Sequence, residues 1–298
     1  MPGWMTILRG LLKMLQPVLR RVQMRLPAGR LKKALCFLTG DPVEVASGRV
    51  VTSEVDFEFP GRIPVVFERS YDTSSIDYEG PLGFGWTHTF DQHLWYDRRQ
   101  RAMIWRDEEG RVVGFDPLDI GERMYHPLEK VWLERTGEKE YVLKGQQSQL
   151  RYTFGSVDAS ANTEANGLRE GHSETAAFRL LEIRDRNNNQ LRMEYNGGRL
   201  SAVDDGAGLR LLLSYDVRAD GRSRLKEVRQ SLDRNRSSML VSYGYDTEGD
   251  LSAVTDANQV PFRYYYDSHL MVRRTTRNGL SFYFEYQSEE REAKCVHT

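Results

Sequence analysis

The chain of 298 residues is 39% hydrophobic and 29% charged, with a formal net charge of −1 and a mean hydropathy of −0.61. This length accommodates one large β domain or two ordinary domains with a substantial core, and the polarity together with 15 tyrosines favours broad half-buried sheets over a thick apolar interior. Cys36 and Cys295 sit at opposite ends without CxxC spacing, which excludes a disulfide framework and a zinc site, and no apolar run is long enough to span a bilayer.

Residues 1–37 read as a basic arm. Arg9, Lys13, Arg20, Arg21, Arg25, Arg30, Lys32 and Lys33 face no acidic residue before Asp41, so the arm and the acidic remainder are separate objects. Ile7, Leu8, Leu11, Leu12, Leu15, Leu19 and Val22 recur at helical spacing, predicting an amphipathic helix over 4–26 that Pro17 kinks or splits. Two readings stay open for it, packing on the body or on a partner protein, which the pattern favours, and lying on a membrane surface. Nucleic acid is not an expected partner, because aromatic stacking positions are missing between the basic residues. Arg9 and Lys13 also interrupt the apolar stretch, unlike the uninterrupted core of a secretory signal.

From Leu38 the texture becomes β. Short alternating runs in "GDPVEVASGRVVTSEVDFEFPGRIPVVFERSYDTS" are broken by Gly48, Pro60-Gly61 and Pro64, predicting brief strands and tight turns over 38–95. In "GPLGFGWTHTFDQHLWYD", Gly80, Gly83 and Gly85 allow a bent backbone against which Trp86 and Phe90 pack. Residues 96–175 read as further strands, "RAMIWRDEEGRVVGFDP" and "KEYVLKGQQSQLRYTFG", followed by the polar loop "SVDASANTEANGLREGHSET".

Four ordered motifs, "GDPVEVASG", "DFEFPG", "ERSYDTS" and "GPLGFGWTHTFD", resemble the N-terminal conserved region of Rhs (rearrangement hot spot) proteins, the YD-repeat proteins of bacteria. Glu44 and Ser47 stand where Asp and Thr are more usual. The motif positions Gly40, Asp41, Pro42, Gly48, Tyr71, Gly83, Gly85 and Trp86 are therefore expected to be structural.

Residues 176–298 supply the repeat itself. Segments beginning at Leu180, Leu200, Leu225, Leu251 and Leu270 each read Leu-x-x-Val or similar, then a polar turn, an alternating strand and a tyrosine. The tyrosines are Tyr195, Tyr215, Tyr245, Tyr266 and Tyr286, three of them followed by aspartate as Tyr215-Asp216, Tyr245-Asp246 and Tyr266-Asp267. Repetition at this period indicates a stacked array. Each unit is a hairpin whose turn is formed by pairs such as Asp205-Gly206 and Asn278-Gly279. A lone hairpin is marginal in water, so neighbouring units must share one sheet. The expected roles are a tyrosine ring stacking from unit to unit with its hydroxyl at a wet surface, and an aspartate capping the turn.

Chemistry finds little support. His88, Asp91 and His93 are candidate ligands or an acid–base set, but residues five apart on a strand point to opposite faces, and a structural role is the better reading. Neither GxSxG, HExxH nor a P-loop occurs, and Asp204 to Gly208 lacks the nonapeptide of calcium-binding rolls. No enzyme activity, metal or cofactor is expected.

The expected fold is mainly β, consecutive antiparallel hairpins in a large curled sheet preceded by the basic helix, and the resemblance implies that this sheet forms part of a cocoon-like shell. The chain stops on an aromatic strand inside or just after the repeats, an edge that something is expected to continue, so the expectation is the leading part of a longer shell, a truncated copy, or a fragment whose partner lies downstream. What the resemblance implies is a wall segment of a polymorphic toxin, made in the bacterial cytoplasm and delivered without an ordinary signal peptide, often by type VI secretion. Its implied partners are downstream shell and a C-terminal toxin cargo, with a secretion component or chaperone at the basic arm. The alternative is a surface adhesin-like module binding carbohydrate through exposed aromatics such as Tyr265.

Overall fold

The computed structural model describes residues 48–157, 177–217, 222–288 and 294–297, together with the backbone of Val43 and Glu44. The expected helix over 4–26, the polar loop from 158 and the motif residues Gly40, Asp41 and Pro42 lie outside the described residues. Among the described residues there is no α-helix, and strands dominate. Seventeen strands join in one sheet, and a separate four-stranded sheet contains Arg49–Phe59, Val65–Asp72 and Trp86–His88. The fold is thus mainly β and antiparallel.

From Arg123 to Tyr283 the large sheet is an uninterrupted meander in which each strand pairs with the next in sequence. It forks once. Strand Phe178–Arg184 has one edge fully paired with Arg151–Ser156. Its other edge is shared, Glu182–Arg184 pairing with Gln190–Asn196 and Phe178 and Arg179 pairing with Leu94 and His93. Through that second contact, His93–Asp97, Ala102–Arg106 and Val112–Phe115 leave the sheet as a side branch. The expected boundary at 95/96 falls inside strand His93–Asp97, and that at 175/176 falls outside the described residues.

The geometry of the repeat explains a spacing that an ideal strand cannot. Leu200 and Val203, Leu225 and Val228, and Leu251 and Val254 are all buried, yet side chains three apart on a regular strand point to opposite faces. A bulge restores them to one face. Glu194 pairs with Ala202 but Tyr195 with Leu200, skipping Ser201, and the same shift falls at Tyr215, Tyr245, Tyr266 and Tyr286. Two residues of each leading strand thereby oppose one residue of the preceding strand, which increases the local twist.

The twist opens the hairpins. Four of the five pair over only three positions beside their turns, the exception being Ser223–Ser231 with Ser237–Tyr245, which pairs over five. Beyond the last rung the leading-strand carbonyl has no ladder partner, and the unit's tyrosine supplies one. The Tyr195 hydroxyl donates to the Leu180 carbonyl at 2.8 Å, Tyr215 to Leu200 at 3.0 Å, Tyr245 to Leu225 at 2.7 Å, Tyr266 to Leu251 at 2.8 Å and Tyr286 to Met271 at 2.8 Å. In the fifth unit the anchor is therefore Met271, one residue after Leu270.

This corrects the expected role of the tyrosine. Its hydroxyl is consumed inside the sheet, satisfying a carbonyl whose desolvation would otherwise be unfavourable. The aspartates after it also differ from one another. Asp246 accepts from the Gly249 and Asp250 amides, whereas Asp216 pairs with Lys226 at 3.0 Å and Asp267 accepts from the Ser268 hydroxyl. The recurrent turn acceptor is instead an aspartate at the opposite end of four of the five hairpins, the fifth turn using Asn278, which accepts from the Thr276 hydroxyl and the Leu280 amide. Asp185, Asp205, Asp233 and Asp256 each accept two backbone amides there.

Candidate functional site

The four-stranded sheet lies against one face of the repeats, and the seam between them gathers Tyr71, Gly83, Gly85 and Trp86 from the N-terminal motifs. Trp86 is fully buried between Tyr71 and Tyr264, with ring centroids 5.3 and 5.1 Å away. Its indole N–H donates to the Tyr266 hydroxyl at 2.8 Å, so one repeat tyrosine joins both layers. Tyr71 does the converse, donating to the His269 carbonyl and accepting from the Met271 amide, both at 3.0 Å.

A buried ion pair clamps the same seam. Arg69 Nε donates to Asp56 Oδ1 at 2.9 Å and Arg69 Nη1 donates to the Tyr264 hydroxyl at 2.6 Å, while the Tyr243 hydroxyl donates to Asp56 Oδ2 at 2.8 Å. The guanidinium also faces the rings of Trp86, Phe262 and Tyr264 at 5.2–5.4 Å. Burial disfavours the Arg69 charge, but Asp56 and Tyr264 more than offset it and hold its pKa above the usual guanidinium value. Burial likewise pushes Tyr71, Tyr243, Tyr245 and Tyr266 upward, keeping them neutral donors.

The glycines permit the close approach. Gly83 has φ +93°, and a Cβ there would stand 2.6 Å from the Gly249 carbonyl of the repeat turn. Gly85, at φ +71°, would place a Cβ 2.8 Å from the Tyr71 ring. Gly48, also at positive φ, meets Lys294 beside the strand Cys295–His297. Beyond Gly83, Phe84 stacks on His269 at 3.7 Å, and His269 Nδ1 contacts the Asp250 carboxylate at 2.9 Å.

The structure thus brings Tyr71, Gly83, Gly85, Trp86 and Tyr266 together, with Tyr245 reaching the Pro81 carbonyl at 3.3 Å. Tyr195 and Tyr215 lie nearer the fork, Tyr286 sits at the last unit, and Asp216 and Asp267 are exposed away from the seam. The sequence reading missed Arg69, Asp56, Tyr243 and Tyr264. Their one available signal was an arginine and an aspartate inside apolar strand runs.

His88, Asp91 and His93 do not form a ligand set. His88 Nδ1 accepts from the Phe90 amide at 3.2 Å, His93 Nδ1 sits 3.0 Å from the Asp91 carbonyl, and Asp91 takes the Tyr78 hydroxyl at 2.8 Å. Burial lowers both histidines, Asp91 opposing this at His88 and Arg179 and Arg106 reinforcing it at His93. Among the described residues no group of three His, Cys, Asp or Glu side chains is placed to hold a metal ion, and no helix is long and apolar enough to cross a membrane.

Comparison with known proteins agrees with the motif reading. A family described as a domain of unknown function, DUF6531, matches residues 40–115. Similar proteins include double-stranded DNA deaminase toxin A of Burkholderia cenocepacia, 29% identical over 279 residues, covering 90% of this chain and 18% of that protein. Probable deoxyribonuclease RhsA of Dickeya dadantii is 24% identical over 274 residues, again covering 90% of this chain but 17% of its own length. The chain therefore spans less than a fifth of the curated relatives it matches. Among solved structures, a Photorhabdus luminescens Tc holotoxin pore is similar at TM-score 0.46 and 11% identity, covering 74% of this chain and 16% of that one. A TcdB2-TccC3 structure follows at TM-score 0.44 and 11% identity, covering 81% and 16%.

Proposed function

The chain is a relative of the Rhs proteins across nine-tenths of its length, and from that kinship we propose that it is a wall segment of a shell enclosing a toxin cargo. One observation carries the reading. Five repeat tyrosines spend their hydroxyls on carbonyls of the same sheet, and Trp86 and Arg69 tie that sheet to the N-terminal layer. The polar atoms of the family signature are thus committed to holding strands together, which suits a partition. Cargo would be a C-terminal toxin segment on the same or a separate polypeptide, delivered by a type VI machine. The basic arm, residues 1–37, would engage the loading component or chaperone.

Co-expression with the downstream toxin segment, followed by limited proteolysis, tests this. The cargo should survive with the native wall and be digested when Trp86→Ala opens the seam. Equal digestion with and without the wall would end the shell reading. Deleting residues 1–35 should abolish capture by the secretion component, and unchanged capture would remove the arm from that role.

The carbohydrate reading has one observation in its favour, because Tyr265 and Tyr283 are exposed on the opposite face of the sheet. Arg273, however, already covers the Tyr265 ring at 3.5 Å. A glycan array with a Tyr265→Ala control separates the two, since a wall has no reason to prefer a sugar.

A further inference from the structure

At the fork of the large sheet a pocket opens between the Tyr78–Pro81 segment, the turn at His88–Gln92 and the starts of two repeat units at Gly198–Leu200 and Arg222–Arg224. Its walls carry Arg179, Arg199, Arg222 and Arg224 against two carboxylates, Glu79 and Asp91. Both acids are already engaged. Glu79 is held by Arg224 and, at 2.6 Å, by Arg222, while Asp91 accepts from the Tyr78 and Thr87 hydroxyls at 2.8 and 3.4 Å. Arg179 stands 4.0 Å from Asp91, and Arg199 has no ion pair among the described residues. The Arg179 charge is felt at Tyr78, Tyr195 and Tyr215 and that of Arg199 at Tyr215, so the guanidiniums converge on one volume.

Two neutral groups in the same lining are also unspent. Gln92 and Ser223 are buried, and Gln92 Oε1 and Ser223 Oγ have no hydrogen-bond partner among the described residues. Buried polar atoms are nearly always paired. A cavity with surplus cationic charge and an unused hydroxyl, closed in by low-dielectric walls, favours an anion with several acceptor oxygens, because guanidinium bonds to oxyanions are charge-assisted and directional.

We propose that this pocket binds a small oxyanion, a phosphate-sized group or a carboxylate, held by Arg199 and Arg179 with Arg222 and the Ser223 hydroxyl. Such a ligand would bridge the side branch, through the turn at His88–Gln92, and two successive repeat units. It would bind where the sheet divides. Occupancy of this cavity does not depend on whether the sheet encloses a cargo.

Isothermal titration at constant ionic strength tests it, with inorganic phosphate and acetate as separate probes and chloride as the background ion. The native chain and an Arg263→Gln control, altered on the opposite face, should bind saturably, with affinity at least tenfold weaker in Arg199→Gln and Arg179→Gln. Tighter phosphate than acetate assigns a free or esterified phosphoryl group, whereas comparable affinities assign a carboxylate. Circular dichroism checks folding, and if Arg179→Gln fails to fold, the half-buried Arg199 decides alone. Absence of saturable binding for both probes, or binding undiminished in Arg199→Gln, overturns the proposal.

Discussion

Replacing Tyr266 by phenylalanine separates the two roles open to the repeat tyrosine, because it keeps the ring and deletes only the hydroxyl. That hydroxyl donates to the Leu251 carbonyl and accepts from the Trp86 indole N–H, each at 2.8 Å. Its loss leaves one buried acceptor and one buried donor unpaired, each worth roughly 1–3 kcal/mol, so a destabilisation of about 3 kcal/mol is expected. Its sequence neighbour Tyr265 is half-exposed on the other face and gives an internal control. Tyr265→Phe should change stability by less than about 0.5 kcal/mol. Urea unfolding followed by far-UV circular dichroism measures both, with unchanged slope as the check that the unfolded state is the same. Trp86→Phe in the Tyr266→Phe background should add less than it does alone, because the indole partner is already gone. If the two tyrosine variants are equally stable, the ring and not the hydroxyl is what the repeat selects, and the carbonyl argument fails.

Arg69→Met should cost about 3–5 kcal/mol by stranding Asp56, and combining it with Asp56→Asn should recover part of that loss in the same unfolding experiment. Gly83→Ala forces a β-carbon toward the Gly249 carbonyl at a positive φ, so a loss of at least about 1–3 kcal/mol and a lowered midpoint are expected. Asp205→Ala, which frees the Ala207 and Leu209 amides, should destabilise by about 1 kcal/mol, whereas Asp216→Ala, losing an exposed pair with Lys226, should stay within about 0.5 kcal/mol. Burial lowers the pKa of His88 and His93, so both bind protons more readily unfolded than folded, and the stability they contribute is complete above about pH 6.5 and declines as the pH falls below it. Asp107, pushed up to about 7 by burial, acts in the opposite sense, so the His93 contribution is read as the difference between the native chain and His93→Gln titrated from pH 8 to 5.

The hairpin array was legible because its signal is local. Tyrosines returning at 20, 30, 21 and 20 residues fix where each unit closes, and in two units the pairs Asp205-Gly206 and Asn278-Gly279 fix where it turns. The odd Leu-x-x-Val spacing also held the bulge, since only an extra residue brings Leu200 and Val203 to one face. What the tyrosine does was not legible, because the Leu180 carbonyl it meets is freed only by the splaying of strands that the bulge causes. The seam was hidden for another reason. Arg69 and Tyr264 are 195 residues apart, and strand patterning around either one shows only an alternating run with a polar interruption. The fork pocket is hidden in the same way, built from short pieces scattered between Tyr78 and Arg224.

Successive units share one sheet in a fixed register, and cysteine cross-linking across a unit boundary reads that register. Ser214 and Glu227 are paired across the boundary between the second and third units. With Cys36 and Cys295 replaced by serine, the Ser214→Cys, Glu227→Cys chain should form an intramolecular disulfide under mild oxidation. The offset pair Ser214→Cys, Arg229→Cys should form it far more slowly. Equal rates for both pairs, or no cross-link in either, would contradict the shared sheet.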